Sequence, residues 1–363
     1  MPPKKLENSQ ATNSAAALAA CEDLVLCVLA RLPVKSIFRF KSVCKSWNHL
    51  FSTQEFVRMQ VKLSTESKNQ SLLVHVVDKN GSNTFSVFNI ESNEKILAQQ
   101  LDYTLIDIVG CCRGLVCIRG GQGGFVLWNP AMNLSKTVLP SKDRRYFRSP
   151  SPGFGYDAEG DDFKVVRIVC LKDKRKFEMF VSYVEVYSVN SDSWTTIDPG
   201  FQFSKVPNRS DATVNGNPYW LVRVDKNDVL ICFNMSKLVF KIVPLSTLDY
   251  NNEKMDVEFA DLKGSFGAFV FTWRHLFVNV WVFDDVEQVW TKSHSVKMNP
   301  VLQCLNYLRL LGMRQKGQLF VNSETKCVEG LFNDGHEFEI YDYTASLAYI
   351  QGMEKVTLKE WRM

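Results

Sequence analysis

This 363-residue sequence predicts a mainly β protein, a small three-helix segment followed by a β-propeller of about six blades. Three observations carry the prediction. Between Glu22 and Phe51 apolar side chains recur at helical spacing. The rest alternates short apolar strands with Gly, Asn, Asp and Ser turns, and no helical pattern of about a dozen residues interrupts it. Six of those strands end alike, in an aromatic residue followed by a small polar one.

Composition narrows the class before any element is placed. A hydrophobic content of 45% with 23% charged residues is that of a packed globular chain. The formal charge of +4 is too small for its length to point to a nucleic acid or a membrane surface, and neither is expected as a partner. No apolar run reaches the length of a membrane span. The stretch Ala15 to Ala20 is too short for a secretion signal and runs into Glu22 and Asp23. Of the ten cysteines, Cys27, Cys117, Cys170 and Cys232 sit in apolar runs, and no C-x-x-C spacing occurs. The sequence therefore predicts a reducing compartment, cytoplasm or nucleus, with no structural metal and no cofactor.

The elements follow in order. Residues 1–20 read as a disordered tail. Leu24, Val28, Leu29 and Leu32 form one stripe of a first helix, which Pro33 stops. A short second helix carries Ile37, Phe38 and Phe40. A third carries Val43, Cys44, Trp47, Leu50 and Phe51, and Asn48, Ser52 and Thr53 lead out of it. This unit, placed at 21–62, bears more large apolar side chains than three helices can hide. It must pack on the rest of the chain or dock a partner.

Over 63–363 the strand ends are Phe88-Asn89, Trp128-Asn129, Tyr187-Ser188, Phe233-Asn234, Phe283-Asp284 and Tyr341-Asp342. In three of them a second aromatic follows seven residues later, at Trp194, Phe240 and Trp290. Each is preceded by another apolar strand: Leu72–Val77, Leu115–Ile118, Val165–Leu171, Tyr219–Val222, Ala268–Phe271 and Leu319–Val321. The repeat interval of 40 to 59 residues brackets the kelch-type blade of about 50. Small antiparallel sheets stacked radially bury both of their faces, which one sheet alone cannot do. A closing strand is expected at Lys355–Leu358. A β-sandwich with a chance repeat is the competing fold, oversized at this length.

Catalytic signatures are missing. The glycine-rich run at 120–124 leads into a strand, where a phosphate loop would open a helix, so it reads as a hairpin turn. Asp161-Asp162 and Asp284-Asp285 read as turn residues. His75, His275, His294 and His336 lie far apart and read as strand or loop residues. Two basic clusters, Arg144, Arg145 and Arg148, then Lys174 and Arg175, read first as solvated loops and second as loops that contact a target.

The stretch Glu22-Asp23-Leu24, Val28-Leu29, Arg31-Leu32-Pro33-Val34-Lys35-Ser36 and Arg39 to Trp47 resembles an F-box of the plant type. It departs from that pattern at Ala20-Cys21, where Leu-Pro usually stands. Further on, Cys111 to Cys117, Trp128-Asn129-Pro130, Leu139-Pro140, Gly153 to Asp157, Asp162 to Val166, Val184 to Ser188 and Ser193-Trp194 resemble the F-box-associated domain of plant F-box proteins, the S-locus group among them. The resemblance implies a non-catalytic substrate receptor of a Skp–cullin–F-box ubiquitin ligase. Leu24, Leu29, Leu32, Pro33, Ile37, Val43 and Trp47 would dock the Skp-type adaptor, and through it a cullin. Trp47 could instead hold the helices together. The propeller's loop face would bind an unknown protein target. A propeller enzyme, a glycan-binding protein and a scaffold that has lost its adaptor are the alternatives.

Overall fold

The computed structural model describes residues 24–66, 71–77, 83–89, 95–101, 107–120, 123–141, 150–172, 180–203, 206–224, 227–248, 256–262, 264–272, 277–297 and 337–356. The tail expected at 1–20 lies outside these residues. The first helix, α1, covers residues 24–30. Pro33, at φ −56° and ψ 142°, turns the chain into α2 (Val34–Phe40). The third helix, α3 (Lys45–Leu50), is shorter than the sequence pattern suggests. Val43 and Cys44 precede it and Phe51 follows it. A fourth helix, α4 (Gln54–Glu66), then begins where Ser52 and Thr53 had been read as an exit. The Thr53 hydroxyl oxygen accepts the Phe56 N–H at 3.3 Å, the cap of a new helix, and acidic Glu55 occupies its first turn.

Among the described residues the strands form five sheets. The first joins β1 (Ser71–Val77), β2 (Asn83–Asn89) and β3 (Lys95–Leu101) to the late strand β20 (Glu337–Tyr343) in the order β20-β1-β2-β3. The second contains β4 (Asp107–Cys112), β5 (Leu115–Arg119), β6 (Phe125–Asn129) and β7 (Leu134–Val138), with β21 (Glu354–Lys355) beside β7. The third is β8 (Ser151–Asp157), β9 (Asp162–Lys172), β10 (Phe180–Ser188) and β11 (Ser193–Ile197). The fourth is β12 (Ala212–Val214), β13 (Asn217–Val224), β14 (Asn227–Asn234) and β15 (Val239–Val243). The fifth is β16 (Asp256–Leu262), β17 (Ser265–Thr272), β18 (Phe277–Asp284) and β19 (Val289–Lys297). All strand pairings among the described residues are antiparallel, as blades require.

Neighbouring side chains show why these sheets stack radially. Val165 packs against Leu115 and Leu127 of the second sheet, while the next residue, Val166, packs among Trp220 and Phe233 of the fourth. Leu230 and Ile231 likewise divide between the fifth and third sheets. A period of two thus buries both faces of a blade. The aromatics seven residues apart turn out to be cross-strand partners in one repeated register. Tyr187 pairs with Trp194, Phe233 with Phe240 and Phe283 with Trp290, with ring centroids 5.4, 4.9 and 5.1 Å apart. Close approach between blades fixes one glycine. A Cβ on Gly155 would stand 2.0 Å from the Gly216 carbonyl oxygen.

The expected count of about six blades is corrected to five among the described residues. Tyr341-Asp342, taken as a sixth repeat, lies on β20, and β20 flanks β1 opposite Phe88-Asn89 in the first sheet. The late strand completes a blade instead of adding one. The strand expected at Leu319–Val321 lies outside the described residues. Of the closing strand expected at Lys355–Leu358, Lys355 pairs with Leu134 and Glu354 with Ser135, and residues beyond 356 are outside the described set. The glycine-rich run is a hairpin connection, closed by Gly120 N–H donating to the Gly124 carbonyl at 2.9 Å.

Candidate functional site

The helices form one small unit around Leu29, Ala30, Val34, Ile37, Phe51 and Phe56. An aromatic chain runs through it, from Phe40 to Trp47 at 5.7 Å, Trp47 to Phe51 at 6.0 Å and Phe51 to Phe56 at 5.0 Å. The seven residues assigned to adaptor docking divide between this core and the surface. Leu29 and Ile37 are buried, and Leu32 and Trp47 pack partly into the same core. Leu24, Pro33 and Val43 are exposed. The free apolar surface comprises Leu24 at 68% exposure, Val28 at 62% and Val43 at 61%, with Val25 and Phe38 less open. Val25, Val28 and Phe38 were not among the assigned residues. Val25 adjoins Leu24 on the first turn of α1, and Phe38 follows buried Ile37 directly, so helical geometry turns it outward.

Charge borders this surface. Lys41 stands over the Phe38 ring at 4.9 Å, and its partial burial lowers the ammonium pKa. A shallow groove lined by Lys35, Phe38, Arg39, Ala131 and Met132 separates α2 from the second blade.

The helical unit is also fastened to the propeller. Arg58 and Gln54 of α4 both bond the carboxylate of Asp161, which also accepts from the Tyr156 hydroxyl. Burial alone would raise the Asp161 pKa, but Arg58 and the Tyr156 hydroxyl hold it below the usual carboxylate range. Burial and the same carboxylate push the Tyr156 hydroxyl up to about 12. Arg113 lies 3.8 Å over the Tyr156 ring. Leu347, between β20 and β21, is buried within the helical core, and Lys35 donates to the Ile96 carbonyl of β3 at 2.8 Å. None of Arg58, Gln54 or Leu347 was singled out from the sequence. Only Asp161 had been noted, as a turn residue, which its φ of 49° bears out.

The two ends of the sheets differ. On the helix-bearing face the connections are tight: 113–114, 158–161, 189–192 and 215–216. On the other face stand the strand ends that border the longer segments 139–150, 173–179, 198–211 and 244–255. There Asp107 bonds Arg119 at 3.1 Å and also pairs with Arg209, while Ser210 N–H donates to the Pro152 carbonyl at 2.8 Å. Arg144, Arg145, Arg148, Lys174 and Arg175 lie outside the described residues. The strand ends that flank them, Val138 with Ser151 and Lys172 with Phe180, belong to this second face.

Among the described residues no group of three or more His, Cys, Asp or Glu side chains could hold a metal ion. His75 is buried, with Nε2 2.8 Å from Asn83 Oδ1 and its ring stacked on Phe85, and His294 lies on the outer strand β19. His275 and His336 are outside the described residues. Asp284 accepts the Val286 and Glu287 backbone N–H groups, as expected of a turn residue. No described helix is long and apolar enough to cross a membrane.

Comparison with known proteins agrees with this architecture. Residues 50–361 match the F-box associated beta propeller domain, and residues 21–59 match the F-box domain. A putative F-box protein of Arabidopsis thaliana, At3g10430, is 29% identical over 245 residues, 64% of this chain and 63% of its own length. An F-box/kelch-repeat protein of the same plant, At3g23880, is 26% identical over 74% of this chain and 77% of its own. A third, the putative F-box protein At3g17490, is 25% identical over 92% of this chain and 87% of its own. Among solved structures, an oligogalacturonate lyase in complex with manganese superposes with a TM-score of 0.41 at 9% identity over 64% of each chain, too remote to bear on chemistry.

Proposed function

The chain belongs to the F-box associated β-propeller family and carries an F-box ahead of the propeller, and from that premise we propose that it is the substrate-recognition subunit of a Skp–cullin–F-box ubiquitin ligase. The observation that carries this reading is the exposed apolar set Leu24, Val25, Val28 and Val43 on a unit that is itself anchored to the propeller. Such a surface on a folded protein suits a protein partner. A Skp-type adaptor docks there and links the chain to a cullin. The face of long connections, directed away from the helices, binds the protein target. The receptor performs no covalent step. It raises the local concentration of target lysines near a charged conjugating enzyme. A cytoplasmic or nuclear location fits this role.

Binding of the full chain to a purified plant Skp-type adaptor tests the reading. Val28→Asp with Val43→Asp places carboxylates in the proposed interface at positions already exposed, so the fold is retained. Burying them should weaken binding about a hundredfold or more. A wild-type chain that takes up no adaptor, or a double variant that binds equally well, overturns the assignment.

A further inference from the structure

Residues 344–353 run as a strap from β20 in the first blade to β21 in the second. The propeller holds this strap tightly. Asn129 Nδ2 donates to the carbonyls of Ser346 and Ala348 at 3.1 and 2.8 Å, and the Ser346 hydroxyl donates to the Arg113 carbonyl at 2.6 Å. Gly114, at φ +82°, leaves the space that Ser346 fills, since a Cβ there would lie 2.6 Å from that of Ser346. Ala348, Ile350 and Met353 sink into the core between the second and third blades. Leu347 alone among these buried apolar side chains turns the other way. It is 2% exposed and packs with Leu29, Ile37, Phe51 and Phe56, and its N–H donates to Gln60 Oε1 of α4 at 3.1 Å.

The helical unit thus borrows a core residue from the segment that closes the propeller. We infer that Leu347 is a positioning residue for adaptor docking, and that the docking surface is fully formed only when the strap has closed the first two blades. The inference rests on the adaptor reading above. A unit of this size has a marginal core, so losing one buried side chain lowers the fraction of molecules with a formed surface. Apparent affinity falls by that same fraction. Linkage makes the effect reciprocal: bound adaptor must protect the strap.

Hydrogen exchange and adaptor binding of the full-length Leu347→Ala protein test this, with Leu347→Met as the conservative control. The amides of 24–66 should exchange at least about tenfold faster in Leu347→Ala, while those of β9 and β14 stay as in the wild type. Adaptor affinity should fall by about tenfold or more and return with Leu347→Met. Adding adaptor should slow exchange at 346–355 in the wild type and leave it unchanged in Leu347→Ala. A Leu347→Ala protein that binds adaptor as the wild type does overturns this inference alone. A wild-type chain that takes up no adaptor overturns the receptor reading and this inference with it.

Discussion

The helical unit and the propeller solve the burial problem differently. The second, third and fourth blades each have a packed neighbour on either side and place alternate residues on each, so the adjacent residues Val165 and Val166 serve two separate cores. The helices have one small core and complete it with Leu347 from elsewhere. Loss at one point in a blade is therefore shared among many contacts, whereas loss in the helical core falls on the whole unit. The same asymmetry separates scaffold from working surface. The helices leave Leu24, Val28 and Val43 in water, and the blades bury Phe85, Trp128, Phe154, Trp220, Phe233 and Phe269 almost completely.

The propeller has one place where that tolerance should fail. Arg167, fully buried, bonds Glu185 at 2.6 Å, lies 4.6 Å over the Trp194 ring and donates to the Gly123 carbonyl at 3.3 Å. Glu185 also accepts from the Ser141 hydroxyl. Glu185→Ala strands the guanidinium between the second and third blades, and should cost about 3–5 kcal/mol. Chemical denaturation followed by the far-ultraviolet β signal checks it. A change of less than about 1 kcal/mol would mean that water reaches the site and relieves the charge.

Ile37→Ala sharpens the contrast from the other side. Removing a fully buried side chain from the helical core should cost about 2–5 kcal/mol. The loss should appear as early unfolding of 24–66 with the propeller's own transition unmoved. A single transition shifted as a whole would show that the two regions unfold as one.

Much of the fold could be read from the sequence, because blades repeat local chemistry. The aromatics seven residues apart are a hairpin's two arms, and their side chains meet across it. The blade count could not be read that way. Tyr341-Asp342 carries the same local signature as the other five strand ends, yet which strand it joins depends on ring closure, about 270 residues from β1. The site was legible in part. Leu29 and Ile37 obey the helical stripe and are buried, while Val43 sits before α3 and is exposed. A stripe identifies apolar positions without saying which of them a partner covers. Leu347 lies in an irregular segment, where no periodicity marks burial.

The smallest expected effect concerns the seam between the two regions, and it is a pH dependence. Asp161 receives Arg58 and Gln54 from α4 and Tyr156 from its own blade, with Arg113 close by on the Tyr156 ring. Its folded pKa lies below the unfolded value near 4, so its contribution is fully present above that value and is lost as pH falls through the lower folded one. Tyr156 has the opposite sign. With a folded pKa of about 12, it contributes below an unfolded value near 10 and loses that contribution as pH rises through 12. Between about pH 4 and 10 the seam should therefore be insensitive to pH. Exposure of the Arg58 side chain, 51%, lets water and salt screen the pair, which keeps the effect slight. Asp161→Asn removes the acid-side slope in the stability of 24–66 and reduces the alkaline one, because burial then acts on Tyr156 without the carboxylate. Equal slopes in variant and wild type below pH 4 would show that the helices are held by Leu347 and its neighbours alone, and that the charged seam adds nothing.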